Sequence, residues 1–479
     1  MQEHTQLTQK QINDELLKDI LHLPKWWLPA VLFLLTIVLA GYSAFGYMIY
    51  HGLGVTGLNR PVFWGFFIAN FVFWIGISHA GIMISAILRL TQAEWRRPIT
   101  RAAEVMTVFS LAAALHTPMM HVGRPWRVLY WIFPYDFSRD IWPNVRSPFV
   151  WDPSAVGTYL IASTLFVMIC LLPDLAILRD RAKNPLVKKI YAQFALGFRG
   201  TPRQWKLQII AGILLSALVL PVFVSVHSIV SWDFAVLIGV EGWRSTIFAP
   251  YFIIGAIHSG VSAVAMLMAL TVWIYGLQNY IKPDHFDAIA RLLIIVATTW
   301  FFFFFLEWVW ALYTLETPEV ALRELQAEQW PYGPLFGIFI ITSFVIPVPI
   351  WLFKRFRRNA VIMFWTCVLV NIGMWLERFL IVIPGLLRRS HMTFDWGSYH
   401  PSIIEIAIVV ETFAFVALGM LLFAKVFPLV PLFDVKEGMI NRHLIKIGRR
   451  VIPATIREGL PHHYYKNHSD PIIERSKEE

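Results

Sequence analysis

The stretch VFWGFFIANFVFWIGISHAGIMISAILRL, residues 62–90, decides the fold of this chain. It holds one charged side chain, Arg89, near its end, and one histidine, His79, beyond its middle. An apolar run of about 20 residues is long enough to cross a bilayer as an α-helix. A strand of a membrane barrel would alternate polar and apolar residues, and this stretch does not. It therefore predicts a membrane-spanning helix.

Nine other apolar runs share this character. The ten runs are approximately residues 26–50, 62–90, 102–122, 153–178, 205–230, 248–277, 286–314, 333–353, 359–384 and 403–427. Of the 479 residues in the chain, 57% are hydrophobic and 15% are charged, whereas a soluble domain carries about 25% charged residues. We therefore predict an all-α membrane protein with ten transmembrane helices.

Basic residues between the runs orient the chain. With a cytoplasmic N-terminus, the inner loops hold 17 Lys and Arg residues and the outer loops hold nine. Because cytoplasmic loops carry the excess of positive charge, both termini are predicted in the cytoplasm. Residues 1–25 and 428–479 are then cytoplasmic segments around a membrane domain of residues 26–427. The net charge of +10 reflects this topology and does not indicate nucleic-acid binding.

A short motif occurs twice. Gly76-Ile-Ser-His79-Ala-Gly81 in the second run and Gly255-Ala-Ile-His258-Ser-Gly260 in the sixth are both G-x-x-H-x-G. Both runs start at the outer face, so the motif predicts a parallel repeat with its axis along the membrane normal. The repeat predicts two four-helix bundles, about 62–230 and 248–384, flanked by the first and tenth runs. Small residues beside each histidine favour close helix contact.

The cysteine count limits the redox chemistry of the chain. Its two cysteines, Cys170 and Cys367, each lie inside an apolar run. An iron–sulfur cluster generally needs four thiolates, and haem c needs a C-x-x-C-H motif. We therefore predict that this chain holds no iron–sulfur cluster and no covalent haem.

Two regions outside the ten apolar runs carry further signals. The outer connection 122–151 is rich in Trp, Tyr, Phe and Pro, and its length of about 30 residues is typical of functional loops. It predicts a lid or a docking surface along the membrane interface. The C-terminal segment carries His462, His463 and His468, which could bind a metal ion. A solvated tail or a partner contact is the favoured alternative, and no metal site is predicted.

Four ionisable residues lie toward the outer ends of different runs. His121 ends the third, Asp152 precedes the fourth, Asp233 follows the fifth and Arg378 lies in the outer half of the ninth. Charged groups in or near lipid are costly and usually functional. Their shared level predicts a pocket for a membrane-borne substrate with a polar head.

Each of these residues also has a purely structural interpretation. Asp152 with Pro153 makes a good helix start, and His121 suits the negative end of a helix dipole. Asp233 is also compatible with a solvated loop. Arg378 follows Glu377, and because adjacent helical residues point about 100° apart, the two are not expected to form a simple face-to-face pair. We expect each to have its own partner on another helix, and a structural ion pair is the alternative interpretation. For Arg378, that partner could be Asp152 or Asp233.

Four further groups lie deeper in their runs: His79, His258, Glu307 and Glu411. Buried ionisable groups in a membrane protein can form a proton relay. His79 and His258 could alternatively be ligands of haem b, or simply buried, hydrogen-bonded histidines. The proton relay is our prediction.

Together these features favour quinol oxidation. That reaction needs hydrogen bonds to two ring oxygens, acceptors for two protons, and an electron acceptor. His121, Asp152 and Asp233 are suitable proton acceptors. The electron acceptor has to come from a partner docked at the outer face, because the cysteines are too few. A secondary transporter, a proton channel and a b-type cytochrome remain alternatives.

Two segments resemble a known family. HTPMMHVGRPW (116–126) and WPNVRSPFVWD (142–152) resemble the NrfD-like quinone-interacting membrane subunits, which include that of polysulfide reductase. Ten runs instead of eight, with VHSIVSWDF (226–234), resemble the Alternative Complex III branch, and within it the larger of two NrfD-like subunits. The resemblance covers all ten runs.

This resemblance implies a quinol:electron-acceptor oxidoreductase in a bacterial inner membrane, with quinol or menaquinol as substrate. It implies an iron–sulfur subunit at the outer face, multihaem cytochrome c subunits and a second NrfD-like membrane subunit, with no haem in this chain. His121, Asp152, Asp233 and Arg378 match the family's quinol-pocket residues. Proton translocation through the four-helix bundles is also implied, and the second NrfD-like subunit is the alternative identity.

Overall fold

The computed structural model of this chain is predominantly helical. It describes residues 9–127, 138, 140, 142, 148–387, 397–440, 442–447 and 450–455. Much of the outer connection 122–151 and the tail histidines His462, His463 and His468 lie outside the described residues, so the predictions made for them stay predictions. Two compact units are present, residues 1–432 and 433–479.

Sixteen α-helices and two strands occur in the described ranges. The first eight helices are α1 Gln9–Leu21, α2 Trp27–His51, α3 Phe66–Leu90, α4 Thr100–His121, α5 Pro148–Arg181, α6 Pro185–Phe194, α7 Pro202–Trp232 and α8 Phe248–Tyr275. The second eight are α9 Pro283–Thr314, α10 Thr317–Glu328, α11 Tyr332–Ile340, α12 Pro347–Leu352, α13 Lys354–Arg357, α14 Ala360–Leu387, α15 Ile403–Val426 and α16 Leu432–Ile440. The strands β1 Arg442–Ile447 and β2 Arg450–Thr455 form an antiparallel hairpin in the C-terminal unit.

Nine helical segments in the described ranges are long and apolar enough to cross a membrane, so the protein is a multi-pass membrane protein of the all-α class. They are Trp27–His51, Phe66–Leu90, Val150–Arg181, Pro202–Val236, Phe248–Tyr275, Pro283–Thr314, Tyr332–Leu352, Ala360–Leu387 and Ile403–Val426. The one predicted run missing from these nine is the third, 102–122. It corresponds to α4, which has 22 residues and a length of about 33 Å at 1.5 Å per residue. Arg101, Glu104 and two histidines make α4 less apolar, and the count of ten is not confirmed.

The membrane helices pack in two neighbouring sets. α3 packs against α4 and α7, and α5 packs against the same two helices. α8 packs against α9 and α14, while α14 also contacts α11. α3 and α8 join the two sets, and α2 pairs with α15 beside α4.

The repeated motif lies where α3 crosses α8. Gly76 faces the Cα atom of Ala256, and a Cβ atom placed on Gly76 would lie 3.4 Å from it. A Cβ atom on Gly260 would lie 2.4 Å from the Cβ of Ala80 and 3.0 Å from the carbonyl oxygen of Gly76. Glycine is therefore required here by the close approach of two helices.

Gly260→Ala should destabilise the protein. The added methyl group overlaps Ala80, and overpacking of this kind costs about 1–3 kcal/mol. Gly157→Ala in α5 is the matched control, because a Cβ atom there meets nothing within 4 Å. Thermal unfolding in detergent should show a lower midpoint for Gly260→Ala alone, and equal midpoints for the two variants would contradict the close crossing.

Two membrane segments depart from regular α-helix. The run predicted at 333–353 consists of α11, a π-helical turn Ile341–Val345 and α12. Pro347 lacks the amide hydrogen that a continuous helix needs, which accounts for the break. α7 likewise continues into a π-helical turn, Asp233–Ile238. Such turns often occur at functional sites.

The N-terminal segment is anchored to the end of the bundle opposite to His121. Asp14 of α1 pairs with Arg181 at 3.1 Å, and Glu15 accepts a hydrogen bond from the Tyr280 hydroxyl at 3.0 Å. Lys425 donates to three carbonyl oxygens at the end of α1, the first being that of Asp19 at 2.8 Å. α1 therefore connects the ends of three membrane segments.

Candidate functional site

A cavity of about 270 Å³ lies where one end of α4, α5 and α7 meets the start of α3. Its walls are formed by Phe63, Trp64, Ile68, Phe71, Pro118, His121, Val122, Asp152, Val230, Asp233, Phe234 and Ile238. Nine of these twelve residues are apolar or aromatic. Apolar walls with a few convergent polar groups are typical of small-molecule pockets. The structure therefore brings three of the four predicted site residues, His121, Asp152 and Asp233, into one cavity.

Antiparallel packing explains why distant residues meet here. α4 and α7 end at this face with His121 and Trp232–Asp233, whereas α5 begins here with Asp152 in its second turn. Asp233 opens the π-helical turn and is 8% exposed. Residues that are far apart in sequence thus share one level of the bundle.

The carboxyl groups of Asp152 and Asp233 both line this cavity. A carboxylate accepts hydrogen bonds, and a protonated carboxyl group can also donate one. The Oδ1 atoms of Asp152 and Asp233 are buried and have no hydrogen-bond partner among the described residues. Each carboxyl group therefore keeps acceptor capacity for a ligand.

His121 supplies the third polar group of the cavity. Its Nδ1 atom is buried and has no hydrogen-bond partner among the residues described. Its ring lies 6.1 Å from that of Phe67, which holds the imidazole from behind. An imidazole with a free nitrogen can accept or donate a proton.

Aromatic rings close one side of the cavity. The ring of Trp64 lies 5.1 Å from that of Phe234 and 6.1 Å from that of Trp243, and the two indole rings are nearly parallel. Phe234 meets Trp243 edge-on at 4.8 Å. Trp243 is 1% exposed and donates from Nε1 to the Ile381 carbonyl oxygen at 3.0 Å. This wall is fixed and presents ring faces to any flat ligand.

Arg378 does not line this cavity. Its guanidinium lies 4.3 Å from the centre of the Phe252 ring, and that ring lies 5.8 Å from Phe234. The residue is 2% exposed and has Nη1 3.4 Å from Oε2 of Glu377. No ion pair joins it to Asp152 or Asp233 among the described side chains. Arg378 is thus behind the aromatic wall.

The expectation that Glu377 and Arg378 do not pair was wrong. The long arginine side chain turns back far enough to reach its neighbour. Each also contacts another helix, as expected: Glu377 accepts hydrogen bonds from the Tyr251 hydroxyl and from Trp300 Nε1, the latter at 2.9 Å. Phe252 provides the second contact of Arg378.

His79 lies deeper between α3 and α7. Its Nε2 atom is 2.9 Å from the Phe223 carbonyl oxygen, and its ring is 4.7 Å from that of His227. His227 is fully buried, and neither ring nitrogen has a hydrogen-bond partner among the described residues. His227 was not among the residues predicted from sequence, although a histidine inside an apolar span is itself a functional signal.

His258 and His79 lie in different parts of the bundle and contact different helices. His258 Nε2 is 3.1 Å from the Ser343 carbonyl oxygen, and its ring stacks on Trp300 at 5.6 Å. The two histidines therefore do not face each other as a pair of haem ligands would. No group of three or more His, Cys, Asp or Glu residues in the described ranges is arranged to hold a metal ion.

Glu307 belongs to a second, small cavity at the same end of the bundle. It accepts a hydrogen bond from the Ser245 hydroxyl, and its Oε2 lies 3.7 Å from Nη2 of Arg323. Burial lowers the pKa of Arg323, while the carboxylates of Glu307 and Glu319 act to raise it. Arg323 is 8% exposed and was treated in the sequence only as a loop charge.

Glu411 lies elsewhere, between α15, α2 and α4. It is fully buried, and its Oε2 lies 3.8 Å from Nδ1 of His116. Tyr42 covers the imidazole with its ring at 5.2 Å. The four predicted proton carriers thus occupy four separate places, and their role remains a prediction.

Known proteins resemble this chain over most of its length. The family described as polysulphide reductase, NrfD, matches residues 54–389. A putative membrane subunit of a dimethyl sulfoxide reductase from Halobacterium salinarum is 25% identical, over 85% of this chain and 92% of the relative. An Hdr-like menaquinol oxidoreductase integral membrane subunit of Archaeoglobus fulgidus is 22% identical, over 85% and 95%. A subunit of the selenate reductase of Mesobacillus selenatarsenatis is 20% identical, over the same shares. This chain belongs to the NrfD family.

Proposed function

We propose that this chain is the quinol-oxidising membrane subunit of a quinol:electron-acceptor oxidoreductase of the Alternative Complex III type. The observation that carries the proposal is the convergence of His121, Asp152 and Asp233 on one aromatic-walled cavity. A relative is named as a subunit of a menaquinol oxidoreductase, which supports quinol, and menaquinol in particular, as the substrate. The second NrfD-like subunit of such a complex is the alternative identity.

The cavity supplies what quinol oxidation requires. Oxidation of a quinol to a quinone releases two electrons and two protons. The Asp152–Asp233 pair can accept one of these protons, and His121 Nδ1 can accept the other. Trp64 and Phe234 present ring faces against which the quinol ring can stack. Iron–sulfur clusters held by a partner subunit docked at this face would take the two electrons, one at a time.

Arg378 has a supporting part in this proposal. Its guanidinium lies behind Phe252, which contacts the Phe234 wall. A fixed positive charge in a dry interior stabilises negative charge at a distance, because little water screens it. Arg378 therefore favours the deprotonated forms that arise as quinol loses its protons.

The proposed topology has ten membrane helices with both termini in the cytoplasm of a bacterial inner membrane. α3, α4, α5 and α7 form the first four-helix bundle, and α8, α9, α11–α12 and α14 form the second. The pairwise packing of these helices and the length of α4 support this arrangement. The cavity then opens to the outer face, where an iron–sulfur subunit and multihaem cytochrome c subunits dock.

Proton translocation is the second part of the proposal. His227 and His79 extend the line of buried polar groups from the cavity into the first bundle. Beyond His79, the Tyr159 hydroxyl donates to the Ser78 carbonyl oxygen at 3.1 Å, and Ser85 donates to Glu104. A line of this kind crosses from one end of the bundle toward the other, which supports a proton route. His258, Glu307 and Glu411 remain candidate carriers outside this line.

Co-purification separates this function from its rivals. A mild-detergent preparation should contain this chain together with iron–sulfur and haem c subunits, and added quinol should reduce them. A colourless isolated protein that accumulates a solute in vesicles would instead indicate a transporter or channel. Haem absorbance in the chain purified alone would indicate a b-type cytochrome.

A further inference from the structure

A second cavity lies in the other helix set. It is at the same end of the bundle as the cavity of His121, Asp152 and Asp233, which we call the quinol cavity. Its volume is about 40 Å³, and it lies among α8, α9, α10, α11 and α14. Its polar lining consists of Tyr251, Glu307, Arg323, Gln326 and Glu377. A water molecule needs about 10–15 Å³ of such volume and two to four polar partners. The cavity has room for a few water molecules and is far too small for a quinol ring.

Two buried polar atoms beside this cavity indicate that it holds water. Oε2 of Glu377 and Nε of Arg323 are buried and have no hydrogen-bond partner among the described residues. Glu377 is 1% exposed and Arg323 is 8% exposed. Leaving an atom of a charged group buried without a hydrogen bond is costly, so water is the natural partner for these two atoms.

The surrounding contacts show that the cavity is a built site. Arg323 Nη1 donates to Gln326 Oε1 at 3.1 Å, and Gln326 Nε2 donates to the Leu380 carbonyl oxygen at 2.9 Å. The guanidinium of Arg323 also lies 5.2 Å from the Trp308 ring. These contacts hold α10 against α14 and place one cation at the mouth of the cavity.

Carboxyl groups lead from the surface through the cavity to the interior. Glu319 is 20% exposed at its side chain and lies 3.8 Å from Arg323, which in turn lies 3.7 Å from Glu307. Glu307 and Tyr251 both line the cavity, and the Tyr251 hydroxyl donates to Glu377. The partly exposed Glu319, then Arg323, the buried Glu307, the cavity and the deeper Glu377 thus follow one another.

The quinol cavity adjoins this line through a shared wall. Trp243 lines the small cavity, and its other neighbours, Trp64 and Phe234, line the quinol cavity. Arg378 connects Glu377 to Phe252, whose ring lies 5.1 Å from that of His227. Charge changes in either cavity therefore act on the other through a wall of aromatic side chains, where little water screens them.

We propose that the small cavity is a hydrated proton-exit site, in which Glu307 takes a proton arriving from the Tyr251–Glu377 side and releases it past Arg323 and Glu319 to the outer surface. The site rests on the proposed quinol oxidation, which supplies the protons. Glu307 and Glu377 both line the cavity with a carboxyl group that can carry a proton, and the arginine beside each favours its return to the carboxylate after the proton has left. Only protons move, and no oxidant is consumed at this site.

Glu307→Gln tests the site in the intact complex, reconstituted into vesicles. Glutamine keeps the volume and the hydrogen bond from Ser245 but cannot carry a proton. Proton release to the outside after a single quinol turnover, followed by a pH-sensitive dye, should slow by about 100-fold. Electron arrival at the partner cofactors in that first turnover should stay within about twofold of the original protein, because the quinol cavity is untouched.

Two further variants complete the experiment. Glu307→Asp retains a carboxyl group and should restore most of the release rate. Glu324→Gln is the matched control, because Glu324 is exposed on the same helix as Arg323 and does not line the cavity. Original release kinetics in an assembled, electron-transferring Glu307→Gln complex would overturn the exit site and leave the quinol proposal standing. Absence of quinol-dependent electron transfer in the unmodified complex would overturn the quinol proposal itself.

Discussion

Asp152→Asn and His121→Phe should each abolish quinol-dependent reduction of the partner subunit while the complex still assembles. Asparagine can donate a hydrogen bond to Asp233 and so preserves the contact between α5 and α7, but it cannot accept the quinol proton. Phenylalanine preserves the ring beside Phe67 and removes both nitrogens. Loss of a positioned proton acceptor costs about 10²–10⁴-fold in rate. Stopped-flow reduction of the partner cofactors by quinol measures the effect.

Asp14→Asn is the control for the aspartate variant. Asp14 is exposed and pairs with Arg181 at the opposite end of the bundle, where a surface ion pair contributes about 0–1 kcal/mol. Its variant should reduce the partner at the original rate. Original rates in both Asp152→Asn and His121→Phe, with all subunits present, would show that quinol is oxidised elsewhere.

The shared level of His121, Asp152 and Asp233 could be predicted from sequence because it depends only on span order. In an antiparallel bundle, the end of one span and the start of the next necessarily lie at the same face. Close helix contact at the repeated motif was predictable for a similar reason, since Gly76 and Gly260 leave room for a neighbouring backbone, whereas the pairing of α3 with α8 came from the structure. Both inferences need only sequence positions and side-chain size.

The position of Arg378 could not be predicted in the same way. Its level along α14 follows from sequence, but the direction in which it points depends on how α14 is rotated against α8. The structure turns it toward Phe252, away from the carboxyl pair. Rotation about a helix axis is set by packing with other helices, and an all-round apolar span gives no preferred face.

Arg323 illustrates a second limit. It follows a predicted span and was counted only among the outer basic residues. In the structure, α10 folds back over the end of the second helix set and buries Leu322, Arg323, Leu325 and Gln326. The spacing of the two leucines is compatible with an amphipathic helix. What that helix covers depends on tertiary contacts that no local pattern reports.

The largest effect on stability is expected at the Glu377–Arg378 pair. Glu377→Gln leaves the guanidinium of Arg378 buried at 2% exposure without its carboxylate partner. Removing one partner of a buried ion pair typically costs about 3–5 kcal/mol. The single variant should therefore lower the yield of assembled complex severely. The double variant Glu377→Gln with Arg378→Leu removes both charges and should recover most of that yield.

The double variant also tests what the Glu377–Arg378 pair contributes to the reaction. If the charge of Arg378 stabilises the quinol as protons leave, the recovered complex should still oxidise quinol about tenfold more slowly, less than for loss of a direct contact because Arg378 does not touch the cavity. Quinol titration of the rate separates weaker binding from slower chemistry. An original maximal rate in the recovered complex would limit Arg378 to holding α8 against α14, since its charge would then be needed only to balance Glu377.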